Sequence, residues 1–420
     1  MASVSEVVDI DDLVAPRLTD VQRQILEYTE SKRVELDIEA MLAEAVVQAG
    51  VDDLDDTDGF ADRLAAHVAA IEADGGLRQL ARMTLRSRIV RLLRNRLSLT
   101  ELLKRHPEIE SIEIERPFIV VGMPRSGTTH LVNLIAADPA RRALPYWESQ
   151  EPIPAPGEGA DIFGIDPRYA RSKAEHDAMM ATTPLIAAMH DRFPEAIEEE
   201  VEILDLDLAS YVLEWHARVP DWRDYYLTLD QTRHYAYMMK VLQALTFLRG
   251  PRTWVLKSPQ HSEQLGSLMA TFPDATVAFT HRDPVAVIQS AVTMIAYGDR
   301  MRRTSIDPGT LVEYWSDRVH RLLSAGVRDR DLVPAERSID IGFHDLGGNE
   351  MPLLEQLYAR GGVDLRPKAR KAFDQYLHGN PRGKHGRIRY DLQGNFGVSP
   401  QELRSRFDFY FDRFDVRPEN

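Results

Sequence analysis

Three stretches of this 420-residue chain gather residue types suited to holding a phosphate-like anion. The first is Gly122-Met-Pro-Arg-Ser-Gly-Thr-Thr129. It follows the short β-branched run Phe118–Val121 and precedes an apolar helical segment that reaches Ala137 and stops at Asp138-Pro139. A strand, a glycine-bearing turn and a helix form an anion site, because backbone N–H groups of the turn and the helix start converge on one point. Gly122 and Gly127 are spaced as in the loop G-x-x-x-x-G-K-S/T, but the lysine position holds Thr128. That lysine reaches the terminal phosphates of ATP, so its loss weakens a kinase reading. Arg125 lies inside the loop instead and offers a guanidinium fork to an oxyanion. The loop suits a nucleotide's 5′-phosphate carrying a short substituent.

The second stretch starts at Arg282, which follows a strand and opens a helix. Ser290 comes about two turns later on that helix. Alone such an arginine is an ordinary surface or ion-pair residue; beside the phosphate loop the Arg-plus-Ser spacing suggests a second anion site. The third is Pro381-Arg-Gly-Lys-His-Gly-Arg387. It reads either as a flexible solvated loop or as backbone whose glycines let it close over a phosphate.

These residues need a scaffold. Thr253–Leu256 and Thr276–Thr280 repeat the strand-then-helix grammar, with Ser258 and Asp283 as helix caps and Pro259 and Pro284 in the first turns. Ser338–Ile341 is a further candidate strand. Short apolar strands alternating with helices predict an α/β fold, with a central parallel sheet covered by helices on both faces. Ligands of such sheets bind at the carboxyl ends of the strands, where Arg125, Lys257 and Arg282 all fall.

The remainder supports this core. Residues 1–115 read as a helical N-terminal region and 116–420 as the α/β domain, with a helical, proline-interrupted insertion at about 140–250. Within Arg86–His106 the leucines form a helical stripe, and the arginines read as a solvated face bridged to the acidic N-terminal half. Asp52–Asp62 reads as an acidic loop without the spacing of a calcium loop. Tyr211, Trp215, Trp222, Tyr225, Tyr226, Tyr235 and Tyr237 read mostly as core, a few of them as walls of an acceptor pocket.

Composition sets the outer limits. The absence of cysteine excludes disulfides, thiolate metal sites and cysteine nucleophiles, and fits a cytoplasmic protein. A net charge of −15 disfavours nucleic acid and anionic membrane. The longest uncharged stretch, Pro284–Gly298, is too short for a membrane span, and the acidic start does not resemble a secretory signal. No G-x-G-x-x-G follows a strand, which removes a dehydrogenase reading.

Pro117–Thr129, PFIVVGMPRSGTT, resembles the 5′-phosphosulfate loop of nucleotide-dependent sulfotransferases. WVLKSPQH at Trp254–His261 and HRDPVAVIQS at His281–Ser290 resemble the next two motifs of the family's bacterial branch, and order and spacing agree from about Pro117 to Gly397. The resemblance implies a P-loop-like sulfotransferase fold and 3′-phosphoadenosine 5′-phosphosulfate (PAPS) as donor. It implies that Arg125, Ser126, Gly127, Thr128 and Thr129 hold the 5′-phosphosulfate. It assigns Arg282 and Ser290 to the 3′-phosphate, with Arg382, Gly383 and Lys384 closing on the same group. His130 stands where the cytosolic branch often has a tryptophan against adenine. That branch's K-x-H appears here as Lys257-Ser-Pro-Gln-His261.

Sulfuryl transfer needs donor alignment, stabilisation of the leaving phosphate and removal of the acceptor's proton. Arg125, Lys257 and the loop amides are expected to serve the leaving group. His261 is the leading base, with a carboxylate of the run Glu195–Glu200 as rival and that run otherwise read as a solvated helix face. No metal is expected. The expected partner is a small lipophilic alcohol or phenol. The alternatives are a P-loop kinase, or a non-catalytic relative that binds nucleotide.

Overall fold

The computed structural model describes residues 7–161, 164–190, 192–381, 384 and 386–419. Its centre is a five-stranded sheet: β1 (Phe118–Gly122), β2 (Arg141–Arg142), β3 (Thr253–Lys257), β4 (Thr276–His281) and β5 (Ser338–Gly342). The order is β2-β3-β1-β4-β5 and every pairing is parallel. The chain runs to one side of β1 and returns to the other, so the carboxyl end of β1 is the switch point of the sheet. Register sets the site's depth: Val120 pairs with Lys257, and Gly122 with Thr280.

Every residue of β1 is buried, because both faces of the sheet are covered. Phe118 and Val120 pack with Leu131, Val132, Leu134 and Ile135 of the helix Thr128–Ala136. Ile119 and Val121 face the opposite way, into a core shared with Leu85, Ile89, Leu93 and Leu97 of the helix Gln79–Arg105. The helical N-terminal region therefore shares one continuous core with that face of the sheet. Each such aliphatic side chain contributes about 1.5–3 kcal/mol on full burial.

The arginines of that long helix depart from the solvated face expected of them. Arg88, Arg94 and Arg96 are buried. Arg88 pairs with Glu202 at 2.6 Å and Asp205 at 2.7 Å, Arg94 with Glu151, and Arg96 with Asp207 at 2.7 Å. Their partners come mainly from the insertion; Arg86, paired with Glu44 at 2.7 Å, keeps the expected N-terminal partner. The reason is steric: the insertion folds over this helix and excludes water, so each guanidinium needs a carboxylate at hand. Removing one partner of such a buried pair costs about 3–5 kcal/mol.

Candidate functional site

The loop after β1 is built from within. Gly122 allows a close approach: a Cβ there would lie 2.1 Å from Thr280 Oγ1. Ser126 is fully buried, and its hydroxyl bonds to the Met123 carbonyl at 2.6 Å and to Thr280 Oγ1 at 2.7 Å. Its side chain thus holds the loop's shape, as does its N–H, which donates to the same Met123 carbonyl at 3.2 Å. Arg125 and Gly127 both have positive φ, 69° and 91°. Left-handed residues among right-handed ones turn successive N–H groups toward one point, the geometry of an anion nest. The helix follows at Thr128, and its first i→i−4 bond is Leu131 N–H to the Gly127 carbonyl at 3.1 Å. The amides before it have no partner further back in the helix. Thr128 is buried and Thr129 exposed.

Arg125 links the loop to two other segments. Its Nε donates to Ser290 Oγ at 3.0 Å and its Nη1 to the Met189 carbonyl. Arg282 donates from Nη1 to the Arg125 carbonyl at 2.6 Å. Asp283 caps the next helix, accepting from Val285 N–H at 2.9 Å, as its sequence position leads one to expect. The residues singled out for two anion sites are therefore in mutual contact on one edge of the sheet. Lys384 lies apart, exposed, with Nζ 3.3 Å from Asn380 Oδ1. Arg382 and Gly383 fall outside the described residues.

Lys257 ends β3 on the same edge and is held at both ends by consecutive glutamates. Glu200 Oε2 accepts its backbone N–H at 2.6 Å, and Glu199 Oε1 pairs with its Nζ. Glu198–Glu200 are thus not a solvated helix face, while Glu195 at the start of the run is exposed. Glu198 and Glu200 are buried; only Glu199 of this trio keeps partial exposure, 14% of its side chain. Burial pushes the Glu200 carboxyl well above the usual carboxylate range.

His261 lies behind this pair. It sits in the 3₁₀ turn Pro259–Glu263, capped by Ser258 as its sequence suggests, and it is fully buried. Nδ1 is 2.7 Å from the Tyr235 hydroxyl, and Nε2 is 3.4 Å from Glu200 Oε2. Burial lowers its pKa to about 3, so it is neutral near pH 7, yet it faces Tyr235 and Glu200 rather than the open edge.

The Sulfotransferase family model matches residues 117–367, more than half of the chain. The chain belongs to the sulfotransferase family. Among solved structures it is similar to sulfotransferase STF9 from Mycobacterium avium, with 23% identity and a TM-score of 0.81 over 92% of this chain and 98% of that one. Sulfotransferase STF1 from Mycobacterium tuberculosis H37Rv gives 26% identity and a TM-score of 0.77 over 89% of this chain and 99% of that one. No curated protein matches. The family and the parallel-sheet fold agree with the sequence resemblance.

Several neighbours in this sulfotransferase's site were not legible from the motifs. Thr280 locks the loop after β1, Met189 supplies a carbonyl to Arg125, and the Phe343 ring lies 3.9 Å from the Arg282 guanidinium. Tyr235 was visible only as one aromatic among several. Among the described residues no group of three or more His, Asp or Glu could hold a metal ion, and no helix is long and apolar enough to cross a membrane.

Proposed function

We propose that this chain moves the sulfuryl group of PAPS to the hydroxyl of a small lipophilic alcohol or phenol. The observation that carries the reading is the contact between the two anion-binding elements. Arg282, at the end of β4, bonds the carbonyl of Arg125 in the loop after β1, and Arg125 in turn bonds Ser290. A nucleotide phosphorylated at both its 3′ and 5′ positions asks for two cationic sites on one continuous surface.

In this reading the loop amides and Arg125 hold the 5′-phosphosulfate, while Arg282 and Ser290 hold the 3′-phosphate. The bond between sulfur and the bridging phosphate oxygen breaks as sulfur bonds the acceptor oxygen. The acceptor's proton goes to Glu199, and 3′-phosphoadenosine 5′-phosphate (PAP) leaves. Glu199 replaces His261 as the favoured base because it alone of the two keeps exposure at the edge. Lys257 is as fully enclosed as His261, so its ammonium acts through Glu199, holding that carboxylate at the edge. The arginines supply the positive charge, so binding is expected without a divalent metal.

A lipophilic acceptor is supported by the apolar stretch Pro184–Met189. It approaches the donor loop through the Met189 carbonyl and packs on the helix Pro284–Arg302, where Leu185 N–H meets the Tyr297 hydroxyl at 3.3 Å. The test of donor class is thermal protection. PAP is expected to stabilise the chain by about 2.7 kcal/mol at a hundred times its dissociation constant, equally with and without EDTA. Protection by ATP with Mg²⁺ but not by PAP would instead favour a kinase.

A further inference from the structure

Glu419 lies against the arginine assigned above to the 3′-phosphate. Its two carboxylate oxygens accept from Nε and Nη2 of Arg282, each at 2.7 Å. This is the fork-to-fork arrangement that arginine offers carboxylate and phosphate alike. The third nitrogen of the group, Nη1, donates to the Arg125 carbonyl. The outward face of the guanidinium fork is therefore taken by a side chain from the other end of the chain.

The segment that delivers this carboxylate is anchored separately. The Glu419 N–H donates to Asp283 Oδ2 at 2.8 Å, and its C=O accepts from Arg404 Nη2 at 2.8 Å. Arg404 also pairs with Asp283 at 2.7 Å. Asp283 meanwhile caps its helix through the other oxygen, so the carboxylate of Glu419 can swing off Arg282 without uncapping that helix. The pair sits at the rim, with side-chain exposures of 14% for Arg282 and 34% for Glu419, where an exchange of partners is open to solvent.

We infer that Glu419 occupies the 3′-phosphate position on Arg282 and is displaced by the nucleotide's own phosphate, so that it tunes down the affinity for a 3′-phosphorylated nucleotide. The inference rests on the reading of Arg282 as the 3′-phosphate site. A phosphate monoester carries more charge than a carboxylate and wins the exchange. A nucleotide without a 3′-phosphate has nothing with which to displace the carboxylate and gains nothing from Arg282. PAP, the product, still carries the 3′-phosphate. The returning carboxylate then competes with it and shortens its stay, so the donor is held less tightly than Arg282 alone would allow.

The experiment is titration of PAP and of AMP into the full chain, wild type against Glu419→Gln and Glu419→Ala, with PAP release followed by stopped flow. Both variants are expected to bind PAP about two- to tenfold more tightly, the range between an exposed ion pair and a charge-assisted fork. AMP affinity should stay near the wild-type value, and PAP release should slow by a similar factor. Unchanged or weaker PAP binding in both variants would overturn the inference, and so would an equal gain for PAP and AMP, which a general charge effect would give. Arg282→Ala separates the two levels. If it loses the preference for PAP over AMP while the Glu419 variants behave as wild type, only the role of Glu419 falls. If it keeps that preference, the site assignment fails and the inference with it.

Discussion

Nε of Arg125 donates to Oγ of Ser290 at 3.0 Å, joining the loop after β1 to the helix that begins after β4. One hydrogen bond thus ties the element proposed for the 5′-phosphosulfate to the element proposed for the 3′-phosphate. Ser290 is almost fully buried, so its hydroxyl has few alternatives to this guanidinium. Ser290→Ala is expected to weaken PAP binding by up to about tenfold, the worth of a hydrogen bond of about 0.5–1.5 kcal/mol. AMP binding should weaken too, since Arg125 loses its support. Calorimetric titration of both nucleotides checks this; an effect confined to PAP would place Ser290 on the 3′-phosphate alone.

Arg282→Ala should remove discrimination for the 3′-phosphate. A charge-assisted hydrogen bond contributes about 1.5–3 kcal/mol, so a loss of one to two decades in PAP affinity is the expected order, with AMP little affected. Direct titration of the two nucleotides reads out the ratio.

Glu199→Gln is expected to lower turnover by about 10²–10⁴-fold at saturating donor, the usual worth of a general base, with PAP affinity nearly intact. His261→Ala should act mainly on stability. It removes the partner of the Tyr235 hydroxyl in a fully buried position, which costs about 1–3 kcal/mol. Steady-state rates and urea unfolding of the two variants separate the roles. A collapse of turnover in His261→Ala with full activity in Glu199→Gln would return the base to the histidine.

The burial of His261 was hidden in the sequence for a physical reason. Each strand, loop and helix start is a local pattern, and the loop after β1, the Ser258 and Asp283 caps and the parallel sheet were all legible within a few residues. Burial is not local. His261 is enclosed by Tyr235 and Glu200, and Arg88 by Glu202 and Asp205, residues set far from it in the chain. An arginine stripe on a helix looks solvated until another segment is known to cover it. Glu419 carries no motif, and its partner Arg282 is 137 residues away.

Acid should destabilise the fold through its buried histidines. His67 and His261 both have pKa values lowered to about 3, chiefly by burial, with Arg88 adding to the effect at His67. Unfolded histidine takes up its proton near pH 6.5, while the folded forms resist until about pH 3. Their contribution is therefore complete above pH 6.5 and is lost as pH falls through that window, at about 1.4 kcal/mol per pH unit for each histidine. Among the described residues His67 has no hydrogen-bond partner on either ring nitrogen, so His67→Leu removes the titration without breaking a bond. Urea unfolding between pH 7.5 and pH 5 should show a shallower loss of stability in His67→Leu than in the wild type; equal slopes would mean that His67 does not stay neutral in the fold.

Sulfuryl transfer itself is tested most directly by incubating the chain with PAPS labelled in its sulfuryl sulfur and a panel of small phenols and lipophilic alcohols, with EDTA present. Mass spectrometry should find at least one acceptor heavier by one sulfuryl group, labelled, and matched mole for mole by PAP. Glu199→Gln should form that product far more slowly. Tight binding of PAP with no labelled product from any acceptor, or transfer of phosphate from ATP in the presence of Mg²⁺, would contradict it.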